Sequence, residues 1–312
     1  MLRIFIPWRI TMTVVVCFLI FLLDSELLSF ADAKDNVRIF SKSNLHVWAF
    51  EEYDKVNRSP DERARLLKEL GIKKVGYVCR NKKRLDEFEA YVKAYKNEGI
   101  EIVSVWTPVN TDRPLEEPQI KGFLNIVDRY KLKVQWWVTL EHNFDKLPES
   151  IRVKQAVSRL RPLVKEANKR GCRLAIYGHG PKKWYTQCEN QIVILENLKK
   201  EMPDAKIGIV YNFHHAHTQM HRFKKIFPQL KPHLVAVNLN GMHSKGPKIA
   251  SLGKGDKEKD MIDIIYKSGW RGPVGIIGHN RSEDVKLTLQ KNLDGLDSIL
   301  KEIENPKLKG SG

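Results

Sequence analysis

Short apolar runs and longer amphipathic stretches follow each other eight times along this chain. Asn44 to Phe50 (NLHVWAF) reads as a first strand. Ser59-Pro60-Asp61-Glu62 then opens a helix with a capping serine, a proline at its first position and acids in its first turn, and Gly71 closes it. Lys74 to Arg80 (KVGYVCR) is a second strand, with a charged amphipathic helix from Lys83 to Asn97. Glu101 to Thr107 (EIVSVWT) precedes a helix around Gln119 to Tyr130, and Lys133 to Leu140 (KVQWWVTL) precedes one from Ile151 to Arg170, closed by Gly171. Arg173 to Tyr177 (RLAIY) is followed by a helix from about Asn190 to Glu201. The sixth strand lies within Ala205 to His217 (AKIGIVYNFHHAH), with a helix running on through about Lys231. Leu234 to Leu239 and Pro273 to Ile277 are the last two strands, with helices near Asp256 to Ser268 and Ser282 to Ile303. Eight such units with no linker-like break predict an α/β chain folded as a single (β/α)₈ TIM barrel.

Side chains alternate between the two faces of a barrel strand, so polar residues near a strand's end fix its phase. On the fourth strand Gln135, Trp137, Thr139 and Glu141 share a face. Ala175, Tyr177 and His179 do so on the fifth, Gly208, Val210, Asn212 and His214 on the sixth, Ala236, Asn238 and Asn240 on the seventh, and Gly275, Ile277 and His279 on the eighth. With those faces inward, the barrel mouth collects Glu141, His179, Asn212, Asn240 and His279, and the second strand adds Arg80. Active sites of this fold sit at that C-terminal end.

The first thirty-three residues stand apart. Arg3 and Arg9 precede an apolar run from Met12 to Leu23, and Ala31-Asp32-Ala33 offers small residues at a cleavage site, the order of a signal peptide. The expectation is a signal peptide over residues 1–33, a barrel over 34–305 and a flexible tail over 306–312. The protein would then be exported, to the periplasm or beyond, with no stable membrane anchor. Removing residues 1–33 takes away two basic and three acidic residues, so the formal net charge rises from +17 to +18. Such a charge favours polyanions in general, but the lysines are scattered over helix faces rather than gathered in one block, and no specific nucleic-acid contact is expected. Cys79, Cys172 and Cys188 remain beyond the signal, an odd number that excludes a fully paired framework.

Among the mouth residues, Glu141 and His179 are the acid/base candidates. One carboxylate with several imidazoles also suits a divalent cation such as Zn²⁺ or Mn²⁺, which would fall to Glu141, His179, Asn212, Asn240 and His279. The alternative is a polar mouth filled by hydrogen-bonding groups without a metal. Arg80 offers a guanidinium fork to a carboxylate or phosphate, or pairs with a neighbouring acid. Trp48, Trp106, Trp136, Trp137 and Trp184 form an aromatic set near the strand ends, of which Trp106 and Trp184 are candidates to meet a sugar ring.

The strand ends LAIYGHG, VYNFHHAH, VNLNGM and GPVGIIGH resemble those of the xylose isomerase-like TIM barrel superfamily, specifically its sugar phosphate isomerase/epimerase proteins. In that superfamily the fifth strand ends in a glutamate followed by Asn-His, the sixth in an aspartate followed by x-x-His, the seventh in a histidine and the eighth in a second glutamate. These hold a divalent cation (Mn²⁺, Zn²⁺ or Mg²⁺), and the glutamates move the proton. By position the first glutamate falls on Tyr177, the aspartate on Asn212, the seventh-strand ligand near Asn238 or Asn240, and the last glutamate near Gly278 or His279. His179 and His215 match their counterparts, so the resemblance adds Tyr177 and His215 to the substrate contacts. It implies a sugar isomerase, epimerase or related lyase acting on a small sugar or oligosaccharide, which the signal-like segment would make an exported one. The neutral replacements leave open a catalytically silent sugar-binding barrel. An apurinic endonuclease-like nuclease ranks last, because those enzymes use carboxylates that this chain lacks.

Overall fold

The computed structural model describes residues 39–180 and 184–305, so the signal-like stretch 1–33 and the tail 306–312 lie outside the described residues. Eight parallel strands close into one barrel in chain order: β1 (Leu45–Trp48), β2 (Lys74–Val78), β3 (Glu101–Val109), β4 (Gln135–Leu140), β5 (Arg173–Tyr177), β6 (Ile207–Asn212), β7 (Leu234–Leu239) and β8 (Val274–Ile277). Closure is made by β1 against β8, from Leu45 opposite Val274 to Trp48 opposite Ile277. The helices α1 (Pro60–Glu69), α2 (Lys82–Asn97), α3 (Pro118–Tyr130), α4 (Glu149–Lys169), α5 (Cys188–Glu201), α6 (Phe223–Leu230), α7 (Glu258–Lys267) and α8 (Val285–Glu304) lie in the connections. None of the described helices is long and apolar enough to cross a membrane.

Local chemistry starts and stops these elements. Ser59 accepts from the Glu62 amide while the Glu62 side chain accepts from the Ser59 amide, a reciprocal cap that satisfies two donors at the start of α1. Past α1 and α4 the chain turns through Gly71 and Gly171 at φ +73° and +69°, a region costly for any residue with a Cβ. β1 is shorter than predicted. Ala49 takes φ +51°, which ends the strand and turns Glu51, Glu52 and Tyr53 away from the sheet line. The predicted single helix after β6 is instead a 3₁₀ segment, His217–Arg222, followed by α6.

Two apolar layers result. The larger lies between the sheet and the helices, where Trp136 packs on Phe123 and donates to Thr107, so it faces away from the barrel axis. The smaller fills the barrel with Trp48, Val78, Trp106, Trp137, Ala175, Tyr177, Val210, Ala236 and Ile277. Trp48 and Trp137 meet at 4.3 Å between ring centroids, and Trp137 stacks on Tyr177 at 5.6 Å. The inward phases read from the sequence for β4 to β8 are those found. The three cysteines 79, 172 and 188 are buried and unpaired.

Candidate active site at the barrel mouth

The aromatic plug of the barrel is the floor of the mouth. Tyr177, at the end of β5, is buried, and its hydroxyl accepts from Trp48 Nε1 at 3.3 Å and from Asn212 Nδ2 at 2.7 Å. Burial pushes the Tyr177 phenol well above its usual range, so it stays a neutral hydroxyl. Trp106, on β3, donates its indole N–H to Thr139 Oγ1, and Thr139 donates in turn to the Tyr177 carbonyl. The bonds from Trp106 to Thr139, from Thr139 to the Tyr177 carbonyl and from Asn212 to the Tyr177 hydroxyl thus tie β3 through β6 together at the floor.

Above this floor lies a row of imidazoles. His179 rests against Trp106 at 4.9 Å, His215 lies 4.6 Å from His179, His214 lies 3.8 Å from His215, and His279 lies 5.2 Å from His214. The far end of the row packs against Tyr53, whose ring lies 4.0 Å from that of His279 and tilted to it. Burial, followed by neighbouring positive groups, pushes His215 down to about 2 and His279 down to about 3, and holds His214 well below the usual imidazole range. These three rings are therefore neutral at physiological pH. His215 Nδ1 accepts from the Gly180 amide at 3.4 Å, which assigns its proton to Nε2 and makes that nitrogen a donor.

Glu141, just past β4, brings its Oε1 to 3.8 Å from His179 Nδ1, and both side chains are part-exposed. A carboxylate and an imidazole at that separation can pass a proton between a bound substrate and solvent. Arg80 stands on the other side of Trp106, its guanidinium carbon 5.9 Å from the ring centroid. It pairs with Glu52 at 2.6 Å.

Glu141, His179, Trp106, Tyr177, His215, Arg80 and Asn212 are thus gathered at one mouth, with His279 at its edge. Asn240 is also at this end, buried, with Nδ2 committed to the carbonyls of Gly241 and Lys248. Trp184 is not brought to this group. Its ring packs on Phe144 at 5.6 Å, beside the helix layer, and its amide donates to Asp145. Sequence reasoning missed Glu52, Tyr53 and Arg281. The acidic pair after β1 was the available signal, but their approach depends on the turn at Ala49.

The chain is similar in structure to the IolI protein solved with a bound zinc atom, at 13% identity and TM-score 0.63, covering 83% of this chain and 99% of that one. It is similar to a xylose isomerase domain containing protein from Salmonella typhimurium, at 14% identity and TM-score 0.62, covering 83% of this chain and 98% of that one. An L-ribulose 3-epimerase aligns at 10% identity and TM-score 0.63, covering 86% and 98%. What the chain shares with these proteins is the fold, a single (β/α)₈ TIM barrel. No family model matches the chain, and no curated protein matches it.

The divalent cation expected from resemblance to the xylose isomerase-like barrels meets a donor set that does not fit it. Tyr177 and Asn212 occupy two ligand positions and are hydrogen-bonded to each other, and Asn240 holds a loop. Asn238 lies against His46 inside the barrel. Every anionic oxygen that would offset a dication's charge is absent from these positions. Among the described residues, no three histidine, cysteine or acidic side chains converge in a metal-holding geometry, so the expected set of Glu141, His179, Asn212, Asn240 and His279 does not assemble as one.

Proposed function

We propose that this barrel binds a sugar or sugar derivative at its mouth and moves a proton on it, as an isomerase, epimerase or lyase does. The observation that carries this reading is the Glu141–His179 pair, 3.8 Å apart beside the Trp106 indole. An aromatic floor suits the apolar face of a sugar ring, and the acid/base pair lies at its edge. Glu141 would take the proton from the carbon beside a carbonyl, with His179 as the group that returns or relays it. His215 Nε2–H would donate to the carbonyl oxygen as charge develops there, stabilising an enediol-like state. No step runs through a divalent cation, because the donor set lacks its anionic ligands. The likeness in fold to an L-ribulose 3-epimerase agrees with a sugar substrate.

Proton loss can be followed by NMR as exchange of a sugar's carbon-bound hydrogen for deuterium in D₂O. Wild-type protein is expected to catalyse exchange on at least one aldose, ketose or derivative, and Glu141→Gln to lose about 10²-fold or more of that rate with its circular dichroism unchanged. Full exchange by Glu141→Gln would sink the assignment. The paired Tyr177 and Asn212, where carboxylates would be expected, favour a second reading as a sugar-binding barrel without turnover, and binding with no exchange would support that one.

We also propose export. Support comes from Arg3 and Arg9, the apolar run Met12 to Leu23 and the small residues Ala31 and Ala33. The mass of protein recovered from its native host should begin near Lys34.

A further inference from the structure

Among the described residues, three cations, Arg80, Arg281 and Lys248, stand around the mouth and outnumber the acids that face them. Glu52 is the hub of one side: Arg80 Nη2 lies 2.6 Å from it, Arg84 Nε 3.2 Å and Arg281 Nη2 4.0 Å. Arg84 has a second acid, Glu87, at 2.7 Å, whereas Arg80 and Arg281 share Glu52. Arg80 Nε is buried without a hydrogen-bond partner. Arg281 lies over the Tyr53 ring at 5.1 Å and is largely exposed. Both arginines bear on His279, Arg80 from the end of β2 and Arg281 from the end of β8. From the loop after β7 comes Lys248, whose charge bears on His214 and His215. Its neighbour Ile249 packs onto the barrel's inner layer, and the bridge between Gly241 and Ala250 pins that loop over the mouth. The acids that face this group are Glu52, shared by the arginines, and Glu141, beside His179.

We infer that the substrate taken at this mouth is an acidic sugar, one carrying a carboxylate or a phosphate, whose anionic group is received by Arg80 and Arg281. The inference rests on the reading of the mouth as a sugar site and adds the class of sugar. Trp106 supplies the geometry: Arg80 stands 5.9 Å from its ring and His179 4.9 Å from it, so one aromatic platform joins the anion receptor to the acid/base pair. A guanidinium fork binds either anion through paired hydrogen bonds. Low-dielectric walls of buried neutral imidazoles strengthen the attraction relative to open solvent. A neutral sugar would leave the cationic excess uncompensated. Discrimination against it therefore comes from the same residues.

Binding to the full chain can be measured by calorimetry with glucose, galactose and mannose, each as neutral sugar, uronate and 6-phosphate. An acid is expected to bind at least about tenfold more tightly than its neutral counterpart at low salt, with the preference falling as salt rises. Whether uronate or phosphate gains more identifies the anion. Arg281→Gln, an exposed change that spares the fold, should remove part of the preference. Arg80→Gln should remove most of it, and Arg80→Lys should restore charge but not the full preference. Neutral sugars bound as well as acids throughout the panel, or a preference untouched in both arginine variants, would overturn the inference. Deuterium exchange on the same panel separates the two claims. Deuterium exchange equal on neutral and acidic sugars sinks the acid preference and keeps the proton-transfer reading, whereas arginine-dependent acid binding without exchange does the reverse.

Discussion

Asn212 donates from Nδ2 to the Tyr177 hydroxyl at 2.7 Å, both side chains buried at the ends of adjacent strands β6 and β5. These are the positions where the resemblance places an aspartate and a glutamate. Two carboxylates side by side would repel unless a cation stood between them, whereas a phenol and an amide hydrogen-bond directly. The pair therefore stabilises the mouth without an ion.

Tyr177→Phe tests that contact. It removes the acceptor of two buried donors, Trp48 Nε1 and Asn212 Nδ2. Unfolding in urea, followed by tryptophan fluorescence, should show a loss of about 1–3 kcal/mol. An unchanged midpoint would mean that water replaces the hydroxyl without cost.

Glu51 predicts a loss of stability toward alkaline pH. Its carboxyl is buried, and burial pushes it up from 4.5 to about 7, opposed by a hydrogen bond from its own backbone amide and by Arg63 and Arg84. The folded state thus binds this proton more tightly than the unfolded chain does. The contribution is intact below pH 4.5, declines as pH rises toward 7 and is gone above that. Glu51→Gln should gain about 3 kcal/mol over wild type at pH 8 and little at pH 4.5. Equal gains at both values would assign the effect to packing.

His46 acts in the opposite direction. It is enclosed at the base of the barrel beside Asn238, and burial pushes it down to about 3. Its neutral form is the folded one, so its contribution is present above pH 6.5 and is lost as pH falls toward 3. His46→Leu should flatten the acid limb of stability against pH, measured by urea midpoints between pH 6.5 and 4. An acid limb as steep as wild type would place the proton uptake elsewhere, on the mouth imidazoles.

Gly76 sets how closely the barrel's aromatic plug can pack. A Cβ there would fall 2.4 Å from Ser104 Oγ and 2.5 Å from the Trp48 ring. Gly76→Ala should cost about 1–3 kcal/mol by forcing Trp48 off its position, read as a lower melting temperature and altered near-ultraviolet circular dichroism. Thermal stability equal to wild type would show that the plug has slack.

The eight-fold alternation of apolar runs and amphipathic stretches determined the barrel, because each parallel strand needs a crossover helix and the periods of the two elements differ. The inward phases of β4 to β8 were legible for the same reason: Glu141, His179, Asn212 and His279 are spaced from the strand's buried residues by even steps. The sequence also placed the aromatic residues near the strand ends. It did not separate Trp137, inside the barrel, from Trp136, which an odd step turns into the helix layer. Trp184 was misleading because a loop side chain can fold onto whatever apolar surface lies nearest, here Phe144.

Only the tertiary structure decided what the mouth residues do for one another. The turn at Ala49 brings Glu52 between three arginines and Tyr53 beneath His279, although these partners lie far apart in sequence. Whether an imidazole is charged depends on its burial and on cations from other strands as well as on its neighbours in the chain. Sequence periodicity reports which way a side chain faces along its own strand. The distances and dielectric between strands, which set charge and proton affinity, arise only when the barrel closes.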